Sequence, residues 1–300
     1  MVLGSLRCGK ISPDSCDMSK KIFLQFLLKE IFRGHLNKTL YRFAKGITNL
    51  NVLEIHITDH CNLNCRSCDH FSPLSGPTFI DLQKLEKEYR SLKPFYKQYF
   101  QRIHLLGGEP LLHPNIEQII ILTRKYFPQL EIRLYTNGIR LLNMPNSFWK
   151  VCFDNSVCIY ISKYPININR DEIYRRINKW RVNLIETTEI SYFYHYALDS
   201  LGKQDYRDNY KKCEWGGVCL QLRDGKLFPC ARIAYIEKVN KAFGVDFQYD
   251  KNDFIEINKL NRWNFLQFIL SPKKFCCYCN WKARNLEEWG YSNKNRDEWF

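Results

Sequence analysis

Apolar positions along this chain switch repeatedly between a period of two and a period near 3.6. Residues 51–57 alternate and end apolar, which predicts a strand, and 81–100 carries apolar residues at helical spacing. The alternation continues: strands at 102–106, 130–135, 157–162 and 182–186, and helices at 115–127, 146–153 and 171–180, the last opened by an Asp near its N-terminus. A sixth strand at 190–195 is weakly marked. Strands alternating with helices predict an α/β fold. The expected architecture is a parallel sheet with right-handed crossovers, a partial (β/α)6-type TIM barrel with its chemistry at the C-terminal strand ends. Ahead of it, 1–18 reads as a leader. Residues 19–46 read as an amphipathic helix that caps the domain or lies on a membrane surface. After residue 204 the alternation stops and cysteines become dense. Residues 218–222 and 226–230 read as a hairpin turning through Arg223-Asp224-Gly225. Three parts follow: 1–50, 51–204 and 205–300.

Composition narrows the class. The chain has 300 residues, 45% hydrophobic and 25% charged, which is globular. No apolar run reaches the ~18–20 residues of a membrane span. Residues 22–28 are broken by Gln25 and lack a small-residue cleavage site, so no secretory signal is expected. A cytoplasmic location follows. The formal charge is +14, but the positive residues are dispersed, which suits solvated helix faces better than an anionic partner. No basic-aromatic motif points to nucleic acid. The 13 cysteines change the picture most. In a reducing compartment they are metal ligands or reactive thiols rather than disulfides.

Cys61, Cys65 and Cys68 follow the first strand directly, in C-x3-C-x2-C spacing. Three thiolates this close can hold three irons of a [4Fe–4S] cube, which leaves one iron open to a ligand. The alternative is zinc, with His60 or His70 as fourth ligand, although zinc cysteines more often come as two separated pairs. Gly107-Gly108-Glu109-Pro110 follows the second strand, Thr136-Asn137-Gly138 ends the third and Ser162-Lys163 the fourth.

Over residues 51–200 this pattern resembles the radical SAM superfamily. The resemblance implies a [4Fe–4S] cluster on Cys61, Cys65 and Cys68 whose open iron binds S-adenosylmethionine, cleaved reductively to a 5′-deoxyadenosyl radical. Gly107, Gly108, Glu109 and Pro110 match the segment that binds the methionine ammonium, with Glu109 offering a carboxylate to a cation. Asn137 and Ser162 stand where relatives contact the methionine carboxylate and ribose. One departure is Ser67, where the family commonly has an aromatic residue against adenine; Phe71 is the substitute considered.

A second set is Cys213, Cys230, Cys276 and Cys279. The arrangement C-x11-G-x4-C followed by C-x2-C resembles the twitch module, a short form of SPASM, and implies a second, auxiliary [4Fe–4S] cluster. Cys219 and Cys277 are spare and each could replace a neighbour; a four-cysteine zinc is the alternative. Cys8, Cys16, Cys152 and Cys158 lack ligand spacing, and the last two suit burial. The resemblance implies oxidation of a small polyhydroxylated, sugar-like substrate, the auxiliary cluster taking the second electron. Peptide modification is the second reading, and a non-catalytic iron–sulfur scaffold is a third, of another class. A one-electron reductant such as flavodoxin or ferredoxin is implied. Lys163 and Arg232 are candidate bases.

Overall fold

A computed structural model describes residues 52–300. The leader, the 19–46 helix, Cys8 and Cys16 lie outside the described residues. Within them, five strands run parallel in chain order: β1 (Val52–Thr58), β2 (Arg102–Gly107), β3 (Glu131–Thr136), β4 (Val157–Ile161) and β5 (Asn183–Glu186). The helices between them are α1 (Leu82–Leu92), α2 (Ile116–Tyr126), α3 (Asn146–Asp154) and α4 (Arg170–Trp180). This is the partial-barrel α/β architecture that the alternation predicts. The helix expected over 81–100 ends at Leu92. Lys93 keeps helical φ/ψ, but Pro94 lacks an N–H and cannot extend the ladder, so only a one-turn helix, Tyr96–Tyr99, resumes. Asp81 caps α1 by accepting from the Lys84 N–H at 2.8 Å.

Each barrel strand divides its side chains by parity. Leu53, Ile55 and Ile57 of β1, Ile103 and Leu105 of β2, and Leu134 of β3 are fully buried in one apolar cluster with Leu85, Tyr89, Ile119 and Ile173 of the helices. The opposite parity is polar: Glu54 and His56 on β1, His104 on β2, Tyr135 on β3.

The weakly marked sixth strand leaves this sheet. β6 (Tyr192–His195) pairs antiparallel with the late strand β10 (Asn285–Glu288) in a separate ribbon. The free edge of β1 is taken instead by β7 (Cys219–Arg223), which lies parallel to it in the register Ile55↔Leu222. β7 turns through Asp224-Gly225 into β8 (Lys226–Phe228), which pairs with β9 (Ile255–Glu256). Both turn residues adopt positive φ, 51° and 70°, as hairpin turns require. The sheet order is β5-β4-β3-β2-β1-β7-β8-β9, so the cysteine-rich segment continues the barrel sheet. A second apolar cluster, including Phe71, Phe228, Tyr235, Phe275 and Trp299, lies under that segment. Among the described residues no helix is long and apolar enough to cross a membrane.

Candidate active site

The cysteine loop leaves the end of β1 and is stitched at once to the end of β2. Gly108 N donates to Thr58 O at 2.9 Å, and Glu109 N donates to His60 O at 3.0 Å. The two backbones lie so close that a Cβ on Gly107 would meet Thr58 O at 2.0 Å, and one on Gly108 would meet His60 O at 1.9 Å. The paired glycines thus serve a contact within the chain: they let β2 end against the loop that carries Cys61, Cys65 and Cys68.

These three cysteines line one cavity of about 390 Å³ at the C-terminal strand ends, together with Gly107, Gly108, Asn137 and Ser162. Burial pushes the Cys61 thiol up to about 11 and the Cys65 thiol up to about 12, and the nearby Cys68 adds to both. N–H groups point at the sulfurs: Leu63 N to Cys61 Sγ at 3.4 Å, Asn137 Nδ2 to Cys61 Sγ at 3.8 Å and Trp289 Nε1 to Cys65 Sγ at 3.3 Å. Such donors suit sulfur that bears negative charge. Neither histidine of the zinc alternative is unengaged. His60 Nδ1 pairs with Thr58 Oγ1 at 2.8 Å, and His70 Nδ1 pairs with His56 Nε2. Among the described residues no three His, Cys, Asp or Glu side chains converge on one metal-ion position.

Glu109 stands behind this wall, 1% exposed. Its carboxylate accepts from Leu111 N at 3.1 Å, Thr136 Oγ1 at 2.7 Å and Asn137 N at 2.9 Å, tying the end of β2 to that of β3. Burial lifts its pKa to about 7 against the pull of those bonds. Pro110 opens the short 3-10 turn beyond it. Asn137 reaches back to the cysteine loop, donating from Nδ2 to Asn62 Oδ1 at 2.8 Å. The structure thus brings together Cys61, Cys65, Cys68, Gly107, Gly108, Asn137 and Ser162 at one cavity, with Glu109 behind it.

Phe71 is a correction. It is fully buried, in the second apolar cluster, and does not line the cavity. The rings that do are Tyr135, Tyr164, Tyr192, Phe193, Tyr194, Tyr196 and Trp215. The C-terminal segment was also missed by sequence reasoning. Arg66 N donates to Gly290 O at 2.8 Å, Ser292 N to Asn64 O at 2.8 Å, and Trp299 Nε1 to Cys68 O at 3.1 Å, clamping the cysteine loop from outside. A tryptophan-rich C-terminus was the only hint in the sequence, and spacing could not assign it.

A second cavity, of about 300 Å³, is lined by Cys213, Cys230, Cys276 and Cys279. Cys219 lines it too, whereas Cys277 does not. Asn209 Nδ2 donates to the carbonyls of both Cys276 (2.9 Å) and Cys279 (2.5 Å), fixing that loop. Gly216 N donates to Cys213 Sγ at 3.2 Å. Burial, with Cys279 and Cys213 nearby, drives the Cys230 thiol upward; burial lifts Cys279 to about 11 despite Arg232. Cys152 and Cys158 are buried away from both cavities.

Asp69, His70, Tyr196 and Trp215 line both cavities and form their common wall. Arg232 is salt-bridged to Asp69, with Nη2 2.7 Å and Nε 3.0 Å from Oδ1. Burial works against its charge, but Asp69 and Cys279 hold its pKa above the ordinary arginine value, so it stays a cation and is no base. Lys163 lines neither cavity. The polar parity of the sheet supplies a buried network beneath them. Glu54 takes hydrogen bonds from His104 and Gln221; burial pushes its pKa up, but these partners outweigh it and hold the carboxylate near about 2. His56, between His70 and Asp59, is depressed to about 3 by burial.

Residues 55–155 match the Radical SAM superfamily. The chain is similar to GTP 3′,8-cyclase of Syntrophomonas wolfei subsp. wolfei, 35% identical over 94 residues, covering 30% of this chain and 28% of that protein. It is likewise similar to GTP 3′,8-cyclase of Aquifex aeolicus, 37% identical over 95 residues, covering 31% of this chain and 29% of that protein. The chain thus spans less than a third of the length of these curated relatives. In fold it is similar to BtrN, whose crystal structure is in complex with AdoMet and 2-DOIA: TM-score 0.50, 16% identity, covering 77% of this chain and 93% of that one.

Proposed function

The chain belongs, through residues 55–155, to the radical SAM superfamily, and from that membership we propose that it is an enzyme that cleaves S-adenosylmethionine reductively and oxidises a small polyhydroxylated substrate. The observation that carries this reading is the adjacency of two cysteine-lined cavities across one wall of four residues. The donor chemistry fits the cofactors. Three thiols and sulfur-directed N–H groups on the first cavity suit a [4Fe–4S] cluster with one iron left for a ligand, and among the described residues no fourth cysteine lines that cavity. Four or five cysteines on the second suit a cluster with a closed shell, held by Cys213, Cys230, Cys276 and Cys279 with Cys219 in reserve.

When bound, the first cluster and S-adenosylmethionine supply a hydrogen-abstracting radical, and the second cluster accepts an electron. The chain's own residues do the rest. Glu109, behind the cavity, would hold Thr136 and Asn137 in place for the cationic end of the ligand, Asn137 and Ser162 would offer polar contacts along it, and the Tyr and Trp rings of the first cavity would exclude water. A polyhydroxylated ring placed against Tyr196 and Trp215 lies within the wall that faces both cysteine sets. The aromatic faces suit its C–H groups, and Asp69 and His70 suit its hydroxyls. These two curated relatives share about a third of the chain, around the triplet, so GTP is not carried over as the substrate. A flavodoxin- or ferredoxin-type protein would supply the first electron.

The test is anaerobic reconstitution, reduction and assay for 5′-deoxyadenosine, with Cys61→Ala/Cys65→Ala/Cys68→Ala as control. Formation by the wild type alone supports the reading. Equal yields from both, under several reductants and candidate sugars, would sink it.

A further inference from the structure

We infer that the Asp69–Arg232 ion pair sets the direction of electron flow between the two cysteine sites, by placing its cation at the second site alone and its anion on the wall the two sites share. The inference rests on the reading that Cys213, Cys230, Cys276 and Cys279 hold an iron–sulfur cluster.

The two members of the pair come from the two ligand segments. Asp69 follows Cys68 directly, and Arg232 lies two residues beyond Cys230. The guanidinium is nearly enclosed, its side chain 12% exposed, and it lies 5.1 Å over the Tyr196 ring. It lines the second cavity with the cysteines and does not line the first. Asp69 lines both, its side chain 40% exposed. Glu54 also borders the second cavity, but its carboxylate is engaged by His104 and Gln221.

The first site is built with the opposite bias. Among the described residues no lysine or arginine lines its cavity. The groups donating to its sulfurs, Leu63 N, Asn137 Nδ2 and Trp289 Nε1, are all neutral. The buried Glu109 carboxyl stands behind it. Adding an electron makes an iron–sulfur centre more negative. A fixed cation beside the centre therefore favours its reduced form, and a fixed anion disfavours it. Net charge and hydrogen bonds to sulfur are the levers by which a protein tunes such a centre. The reaction concerned is the addition of one electron to the second centre, with no bond made or broken there. Arg232 acts through the field at that centre and is a positioning residue.

The parent for the test is the Cys61→Ala/Cys65→Ala/Cys68→Ala variant, in which only the second site can be loaded. Its midpoint potential is read by redox titration with dithionite, followed by electron paramagnetic resonance. Arg232→Gln should lower the equilibrium constant for reduction at least tenfold, a fall of about 59 mV for one electron. Arg232→Lys should keep most of the parent value. Asp69→Asn, which leaves the guanidinium uncompensated, should move the potential the other way. A pair that only braces the wall would not give opposite signs. Iron bound with the midpoint unmoved, or moved in the same sense by both neutral variants, overturns the inference and leaves the cluster reading standing. No iron in the parent overturns both. Should Arg232→Gln fail to fold, Asp69→Asn decides by its sign.

Discussion

Glu109 accepts from three donors, yet burial lifts its carboxyl to about 7 against an ordinary 4.5. The folded state therefore holds a proton that the unfolded chain loses between those values. Its contribution to stability falls as pH rises through that window and levels off above it. Glu109→Gln has no such dependence. In denaturant titrations of metal-free protein, wild type should lose stability relative to Glu109→Gln between about pH 5 and about pH 8; parallel curves would show that the carboxyl does not titrate there. The same variant should bind S-adenosylmethionine more weakly at unchanged iron content, because an amide holds Thr136 Oγ1 and Asn137 N at the cavity less firmly than a carboxylate does. Unchanged affinity in calorimetry would remove Glu109 from the ligand site. Asn209 makes a matching case at the second cavity. Its side chain donates to the carbonyls of both Cys276 and Cys279, so Asn209→Ala should lose about four irons, the content of one [4Fe–4S] cluster, and spare the first site. Iron and sulfide analysis reads this out.

At the level of elements, the end of β2 and the start of the cysteine loop behave as one unit, because Gly108 leaves no room for a side chain. Gly108→Ala would drive a Cβ to 1.9 Å from the His60 carbonyl, so the loop must shift. A loss of about 3 kcal/mol or more is expected, at the upper end for overpacking. Gly225 has nothing within 4 Å of a built Cβ and only its φ of 70° to satisfy, so Gly225→Ala should cost about 1–2 kcal/mol. Thermal melts of the two variants check the ranking. This unit was legible in the sequence, since both its parts are local: cysteine spacing reflects ligand geometry, and Gly-Gly reflects close approach. The parallel strands were legible for the same reason, from Leu53, Ile55 and Ile57 alternating with Glu54 and His56. The place of β6 was not. Its partner Asn285–Glu288 carries no apolar alternation, and a two-stranded ribbon far apart in sequence leaves no local period. Nor was the burial of Phe71, which spacing alone could not separate from a ring facing a ligand.

Across the whole molecule, residues 289–299 close over the first cysteine loop. Trp299 is 1% exposed, packs in the second apolar cluster and donates from Nε1 to Cys68 O. Trp299→Ala should cost about 3–5 kcal/mol, the range for emptying a buried aromatic site, and should also lower iron retention at the first site. Equal iron retention by variant and wild type would mean that the loop holds its shape without the clamp. Contacts of this reach also fix an order of events. β1 and β7 meet through residues 167 apart, and the loop at 61–68 receives bonds from residues 224 and 231 positions further on. Pairing over such separations is slow, because the chain must be closed on itself before the contact gives anything back. On the ribosome, where a chain emerges N-terminal end first, β1 has its β2 neighbour long before β7 exists, and the triplet stands unclamped until residues 289–299 have been made. Loading of iron at the first cysteine site is thereby tied to the emergence of residues 289–299: a nascent chain stalled before Trp289 would carry all three thiols and still lack the walls that hold them in place.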